Sequence, residues 1–268
     1  MENLAKKYLK RYKLSLLFWY SMPFSFRSMI PQRFIKRNNF ELYKVLRKVI
    51  AKNKNGIIVI GANDGTSFDD LMPSLLNYIL KKDFQYNSFF IEPIQYYYNK
   101  LITNMIQYGN YNNIIKCYNF ALHPLKKSEN IYIVNPELIT EGKLPDWFSG
   151  SSSFSYDFLR INHNLPENAI FTVQVECKNF DELVSQIEFD ENKLIKKNGL
   201  FKFDYLQIDT EGFDNQILSM IDFSIYNIQI IKYEKSHFSK SELEVIRFKM
   251  NEFYNCLDFG EDEVCFRK

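Results

Sequence analysis

The stretch IIVIGANDG, residues 57–65, joins an uninterrupted apolar run to a turn that holds two glycines. A strand exposed on one face alternates apolar and polar residues, so a run without alternation predicts a parallel strand buried on both faces. Gly61 and Gly65 allow the chain to reverse tightly against a ligand just beyond that strand. The stretch therefore predicts the first strand of an open α/β sheet, followed by a ligand-binding turn.

The spacing of the glycines indicates which cofactor the turn binds. A dinucleotide fingerprint, G-x-G-x-x-G, needs a middle glycine beside the pyrophosphate, whereas the pattern from Gly61 to Gly65 is G-x-x-x-G. The next apolar run, residues 88–91, ends in Glu92 and Pro93, which places a carboxylate where ribose hydroxyls bind at a strand end. An adenosine without a diphosphate fits both observations, so S-adenosylmethionine (SAM) is the predicted cofactor. The missing glycine disfavours a nicotinamide-dependent oxidoreductase.

Length and composition predict one catalytic domain. The chain has 268 residues, of which 46% are apolar and 25% are charged, enough to bury one substantial core. Its four cysteines show neither C-x-x-C spacing nor a neighbouring histidine pattern: Cys117, Cys177, Cys256 and Cys265. They are predicted to be reduced core residues of a cytoplasmic protein.

The net charge of +2 conceals an uneven distribution. Residues 1–54 carry fourteen basic and two acidic side chains, a local charge of +12, and the rest carries 20 basic and 30 acidic ones, or −10. The basic, aromatic-rich segment 1–50 is predicted to be a helical arm, amphipathic over 40–50, that covers the 51–268 domain or lies peripherally on a membrane. The apolar run 14–20 is too short to span a bilayer, so no transmembrane helix or secretory signal is predicted. A net acidic body disfavours nucleic acid as a partner.

Strand-like and helix-like segments alternate from Gly56 onward, the pattern of a parallel sheet covered by helices. Strands are predicted at 57–61, 88–92, 114–120, 203–208 and 228–234. Helices are predicted near 69–81, 95–108, 181–188, 213–220 and 240–254. The segment 257–266 is typical of a closing hairpin with Gly260 in its turn. The alternation is disturbed around 125–180, which predicts an insertion over the cofactor site that selects the acceptor.

Two acidic residues directly follow a buried strand, at the edge where ligands bind in open α/β sheets. Asp209 and Glu211 are separated by one residue. One interpretation is that Asp209 or Glu211 orients or deprotonates an acceptor hydroxyl beside the methyl donor. In the other interpretation, Asp209 and Asp214 cap the following helix and Glu211 is solvated.

A third acid, Glu234, ends the strand predicted at 228–234 and faces the same edge. With hard oxygen ligands at adjacent strand ends, this edge could hold a divalent ion through Asp209, Glu211, Glu234 and His237. The spacing matches no recognisable metal motif, so no metal site is predicted.

Polar residues elsewhere offer further candidates. His163, in the insertion, titrates near neutral pH and is an alternative base or a surface residue. Asn119 and Ala121 follow the third strand, where an amide and a small side chain suit the adenosine, although Asn119 equally suits a plain turn. The serines at 151–153 could contact a polar acceptor or belong to an ordinary loop.

Several motifs occur in the order IIVIGANDG, FFIEP, YNFAL, GSSSF, YLQIDTEGFD and IIKYE. With them, the chain resembles the FkbM-type methyltransferases, a family of SAM-dependent O-methyltransferases, over about residues 56–266. Val59 replaces the acid that the family commonly has two residues before the first glycine. The resemblance implies an α/β, Rossmann-like class I methyltransferase fold, with a mostly parallel seven-stranded sheet and an antiparallel C-terminal hairpin.

The resemblance also implies roles for individual residues. It assigns to the cofactor site Gly61, Asn63, Gly65, Glu92 and Asn119, and to the reaction rim Asp209, Glu211 and Glu234. The predicted cofactor contacts further include Ala62, Asp64, Pro93, Ala121 and Asp209, and the predicted catalytic set includes His163. The implied function is O-methylation of a sugar or glycoconjugate hydroxyl. The alternative is a catalytically silent module that binds SAM or a nucleotide while the basic arm docks to a membrane or a partner enzyme.

Overall fold

The computed structural model describes residues 33–66, 71–82, 85–109, 113–162, 164–191, 196–197 and 200–268. Its helices are α1 (Arg33–Asn53), α2 (Leu71–Lys82), α3 (Gln95–Met105), α4 (Pro136–Thr140), α5 (Phe180–Glu191), α6 (Asp214–Met220) and α7 (Lys240–Phe253). Short 3-10 turns lie at Ile106–Tyr108, Asp146–Phe148 and Glu167–Ala169, and a π-helical turn lies at Phe158–Asn162.

The strands, in chain order, are β1 (Ile57–Ile60), β2 (Tyr86–Ile91), β3 (Asn113–Tyr118), β4 (Ala121–Leu122), β5 (Ser128–Val134), β6 (Ser152–Ser153), β7 (Ile170–Lys178), β8 (Lys196–Lys197), β9 (Leu200–Ile208), β10 (Tyr226–Glu234), β11 (Tyr254–Phe259) and β12 (Asp262–Arg267). They form two sheets. The larger has the order β11-β12-β10-β9-β1-β2-β3, and the short β8 pairs with β9.

The direction of the strands confirms the predicted fold class. The five strands from β3 to β10 in that order run parallel, and β12 is antiparallel to both β10 and β11. All seven predicted strands are present, and β8 is an additional, antiparallel one. The chain therefore has the Rossmann-like class I methyltransferase fold, with a mixed sheet closed by an antiparallel hairpin.

The central strand β1 is buried over its whole length, which explains why its sequence does not alternate. Ile57 and Val59 face a core built with α1, α2 and α3, whereas Ile58 and Ile60 face a core built with α5, α6 and α7. Burial of each such side chain contributes about 1.5–3 kcal/mol. Helices on both faces therefore favour apolar residues at all four positions.

Helix α1 joins the predicted arm to the domain. It continues through residue 50, and Leu42, Leu46 and Ile50 are buried in the same core as α2. The last part of the arm is thus an integral part of the domain core. Residues 1–32, which carry six of the twelve basic residues of the arm, lie outside the described residues. Within the described ranges, no helix is long and apolar enough to cross a bilayer.

The insertion builds the second sheet, with the order β4-β7-β5-β6. The predicted third strand, 114–120, ends at Tyr118 because the chain passes into this sheet at Ala121. β5 and β7 pair antiparallel along the full length of β5, and β4 pairs parallel with the end of β7. The sheet packs through Ile131 and Val175 against Tyr97 of α3. The insertion is therefore anchored to the same side of the domain as the carboxyl ends of β2 and β3.

One prediction about the cysteines is wrong. Cys256 and Cys265 are directly opposed on β11 and β12 and form a disulfide, with their Cα atoms 3.9 Å apart. Sequence spacing alone does not reveal the hairpin register that opposes them. Cys117 and Cys177 are free thiols, as predicted. The cytoplasmic location stays a prediction.

Candidate functional site

A cavity lies at the carboxyl ends of β1, β2 and β9, and the insertion covers it. Its wall is formed by the glycine turn, the segments after β2, β3 and β9, and a loop of the insertion at 149–154. This is the edge at which ligands bind in open α/β sheets.

The glycine turn is held between two neighbouring strand ends. The N–H groups of Gly61 and Ala62 both donate to the Ile91 carbonyl at 3.0 Å, and the Asp209 N–H donates to the Ile60 carbonyl at 3.0 Å. Gly61 has a φ of +76°, and a Cβ there would lie 1.7 Å from the Asp209 carbonyl oxygen. The close approach of the chain after β9 therefore requires this glycine, which is a different reason from the ligand contact that we expected.

Asn63 connects the glycine turn to the insertion. Its Nδ2 donates to the Ser149 carbonyl at 3.2 Å, and a Cβ at Gly150 would lie 2.0 Å from the same nitrogen. Its Oδ1 is buried and accepts no hydrogen bond within the described part of the chain. A buried acceptor in the cavity wall fits a ligand that carries hydrogen-bond donors.

Glu92 is a buried carboxylate that is already partly satisfied. It is 5% exposed, and its two oxygens accept hydrogen bonds from the N–H groups of Asn63 and Ile94, both at 2.8 Å. Burial raises the pKa of Glu92 to about 7, although these two hydrogen bonds oppose the rise. Each oxygen can accept further hydrogen bonds, so the group fits vicinal hydroxyls such as those of a ribose.

The predicted cofactor residues divide into two groups. The cavity wall includes eight of them: Gly61, Ala62, Asn63, Gly65, Glu92, Pro93, Ala121 and Asp209. The described wall does not include Asp64 or Asn119. Asp64 accepts a hydrogen bond from the Thr66 N–H at 2.9 Å, and the Asn119 amide donates to the carbonyls of Glu92 and Pro93 at 2.9 and 3.0 Å. These two residues shape the loops around the cavity.

The insertion loop is tied to both sides of the cavity. Ser149 accepts the hydrogen bond from Asn63, and the Ser153 hydroxyl donates to the Glu211 carbonyl at 3.0 Å. The Val134 N–H donates to the Ser151 carbonyl at 3.2 Å, which attaches the loop to β5. The serines at 151–153 thus include one structural link, and Ser151 and Ser152 line the cavity.

Asp209 and Glu211 line the cavity beyond β9. Within the described residues, no donor hydrogen-bonds to either carboxylate. Solvent reaches Asp209 through the cavity, but protein surrounds it on the other sides. This burial raises the pKa of Asp209 well above its usual range, and the negative charges of Asp214 and Glu211 raise it further. Burial, followed by the charge of Glu234, raises the pKa of Glu211 to about 7. Glu211 also has a φ of +51°.

Glu234 and His237 form a pair beside Glu211. The Glu234 Oε1 and the His237 Nε2 are 3.2 Å apart, and this contact raises the pKa of His237. Burial favours a higher pKa of Glu234, but hydrogen bonds from His237 and Ser236 outweigh it and the pKa is lowered. Of the four residues considered for a divalent ion, the structure groups Glu211, Glu234 and His237, whose ligand atoms lie within 4.8 Å of one another, without Asp209. His163 lies outside the described residues.

Asp214 has a structural role that differs from helix capping. It is buried, and its carboxylate accepts hydrogen bonds from the Thr210 N–H at 3.0 Å, the Thr210 hydroxyl at 2.7 Å and the Glu234 N–H at 3.1 Å. The residue at the start of α6 is Phe213, which makes no side-chain cap. The interpretation that Asp209 and Asp214 cap this helix is therefore wrong, and Asp214 instead joins the ends of β9 and β10. Burial raises its pKa to about 6.

Two features of the wall have no counterpart among the predicted residues. Gln207 is 5% exposed, lines the cavity and accepts a hydrogen bond from the Tyr205 hydroxyl at 3.1 Å. Its signal in the sequence was a polar residue inside an apolar strand. Phe154 and Phe213 also line the cavity, with ring centroids 4.7 Å apart, and His123 stacks on Phe213. These rings come from separate loops, so no local pattern predicts their contact.

One of the comparisons with known proteins identifies the family of the chain. A family model described as the methyltransferase FkbM domain matches residues 60–258. A search of the curated proteins found no match. Among solved structures, the chain is similar to M. capricolum TrmK in complex with S-adenosyl-homocysteine, at 12% identity and a TM-score of 0.34 over 83% of this chain and 67% of that one.

Proposed function

This chain belongs to the FkbM family of SAM-dependent methyltransferases, and we propose that its acceptor is a hydroxyl group of a sugar or glycoconjugate. The observation that carries the proposal is the pair of carboxylates, Asp209 and Glu211, which line the cavity and accept no hydrogen bond from other described residues. A carboxylate free on the cavity side is placed to accept the proton of a hydroxyl.

The cavity wall fits the cofactor on its β1–β2 side. Glu92 would accept hydrogen bonds from the ribose hydroxyls, the Asn63 Oδ1 offers a buried acceptor, and Ala121 leaves room beside the ring. When bound, SAM supplies an electrophilic methyl group on a sulfonium. The protein's task is then to hold the acceptor oxygen in line and to exclude water.

The acidic side of the wall completes the proton balance. Asp209 or Glu211 would take the hydroxyl proton as the acceptor oxygen gains the methyl group, while the electron pair of the broken carbon–sulfur bond would stay on the sulfur. The insertion loop, linked to Glu211 through Ser153, would form the wall nearest the acceptor. A polar wall of serines suits a polyhydroxylated acceptor.

The test measures transfer of a labelled methyl group from SAM to a fraction of glycans and glycolipids. We expect label in methyl ethers that survive alkali and migrate with methyl sugars after acid hydrolysis. An Asp209→Asn variant should bind SAM in calorimetry but transfer at least a hundredfold more slowly. Label found only in esters or amines would overturn the proposed acceptor. SAM binding without transfer to any acceptor would favour a catalytically silent module.

A further inference from the structure

Three potential metal ligands meet at the edge of the cavity. Glu211 follows β9, Glu234 is the last residue of β10, and His237 follows three residues later. One ligand atom from each lies within 4.8 Å of the other two. The group therefore combines two carboxylates with an imidazole on two adjacent strand ends.

The distances agree with a shared ion. Metal–ligand bonds of about 2.0–2.2 Å place neighbouring ligand atoms on one ion about 3 Å apart. The Nε2 of His237 and the Oε1 of Glu234 are 3.2 Å apart. The Glu211 ligand atom lies within 4.8 Å of both, and within the described residues no hydrogen bond holds its carboxylate in place.

The surroundings distinguish this group from an ordinary surface cluster. The side chains of His237 and Glu234 are only 23% and 18% exposed, and the His237 ring packs edge-on against Phe158 at 4.5 Å. Phe158 also lies against Gly212, where a Cβ would be 3.1 Å from its ring. The π-helical turn of the insertion thus fixes the imidazole beside Glu211.

We propose that Glu211, Glu234 and His237 bind a divalent cation at the acceptor side of the cavity. Two carboxylates and one imidazole suit Mn²⁺ or a similar first-row ion, and three protein ligands leave coordination positions open. Glu211 lines the cavity, which would bring an ion held by it beside the space for the acceptor. This second part rests on the proposed function: the ion would bind the acceptor hydroxyl and ease loss of its proton to Asp209.

The test titrates Mn²⁺ into the metal-stripped full-length chain and follows the room-temperature EPR signal of free Mn²⁺. We expect one ion per chain and at least tenfold weaker binding in Glu211→Gln and in His237→Ala. Glu244→Gln, on the exposed side of α7, is the matched control and should bind as the unaltered chain does. SAM calorimetry on each variant verifies that the fold and the cofactor side are intact.

Two outcomes would overturn the metal site. One is no Mn²⁺ binding by a chain that binds SAM, which would leave His237 and Glu234 as a simple ion pair. The other is Mn²⁺ binding that neither substitution weakens, which would place the ion elsewhere. Both leave the proposed methyl transfer standing. Conversely, Mn²⁺ binding by a chain that transfers no methyl group would support the site while the proposed function failed.

Discussion

The carboxylates on the two sides of the cavity differ in the hydrogen bonds that they accept. On the β1–β2 side, Glu92 has each oxygen held by a backbone N–H at 2.8 Å. On the β9–β10 side, Asp209 and Glu211 are affected by each other's charge or by that of Glu234, and no hydrogen-bond donor from the described residues reaches the carboxylate of Asp209 or Glu211. On the first side, hydrogen bonds fix a carboxylate that can accept from a ligand with donors. On the second side, burial and like charges disfavour full ionisation of the acids, and a proton or a cation relieves this.

Asp214 is the acid on the β9–β10 side whose buried charge is compensated by hydrogen bonds. It lies among the same acids, yet three donors from Thr210 and Glu234 satisfy it. The fold therefore separates a structural carboxylate, which fixes both strand ends, from the carboxylates that remain available in the cavity. The comparison of the two sides leads to five expected outcomes.

The largest effect is expected from removing the structural acid. Asp214→Ala would leave three buried donors unpaired at the β9–β10 junction, so we expect a loss of about 3–5 kcal/mol in the free energy of unfolding. Urea denaturation measures it. Asp214→Asn, which keeps an acceptor oxygen and removes the buried charge, should lose much less. Equal losses in the two variants would contradict the role assigned to these hydrogen bonds.

The next effect tests why the glycine turn needs its first glycine. Gly61→Ala should cost about 2–5 kcal/mol, because a left-handed backbone disfavours a side chain and the new Cβ would overlap the Asp209 carbonyl. Gly142→Ala is a matched control, with a φ of +71° and no atom within 4 Å of its Cβ. It should cost only about 1 kcal/mol in thermal or urea unfolding. A similar cost at both positions would mean that backbone conformation alone selects glycine.

The cofactor side is tested at Glu92. Glu92→Gln places an amide against two N–H donors, so we expect SAM binding at least tenfold weaker, or about 1.4 kcal/mol, by calorimetry. Glu176→Gln, an exposed carboxylate on β7, should leave the affinity unchanged.

The same residue should make SAM binding depend on pH. The pKa of Glu92 is about 7, and the ionised form is the better acceptor for hydroxyl donors, so affinity should fall as the pH drops from 8 to 6. Because burial raises this folded-state pKa above the unfolded value, the stability associated with Glu92 is present at low pH and is lost as the pH rises through about 7. A flat affinity profile would contradict a role for the ionised carboxylate.

The smallest effect concerns the link between the insertion and the acidic side. Ser153→Ala removes the hydrogen bond to the Glu211 carbonyl and should cost about 1 kcal/mol of unfolding free energy. Ser152→Ala removes a neighbouring hydroxyl whose loss breaks no hydrogen bond within the described residues, and should be near neutral. A measurable loss of stability in Ser152→Ala but not in Ser153→Ala would contradict the assignment of this hydrogen bond to Ser153.

Much of the fold was predictable because its signals are local. The unbroken apolar run at β1 reflects burial on both faces, and the strand and helix segments from 56 onward match the observed elements closely. The third strand was predicted to end two residues too late, since nothing local marks where the chain leaves one sheet for the other. The disulfide was also missed, because the pairing register of the hairpin decides which cysteines face each other and spacing does not reveal that register.

The sequence by itself determined the fold class, the family, the cofactor and the strand ends that carry the acids, since these follow from periodicity and short motifs. Only the tertiary structure decided what each acid does. Asp214 was interpreted as a cap and is a bridge between two strands, whereas Asp209 and Glu211 face the cavity. Which donors reach a carboxylate depends on segments distant in sequence, such as the Glu234 N–H for Asp214, and only packing brings those segments together.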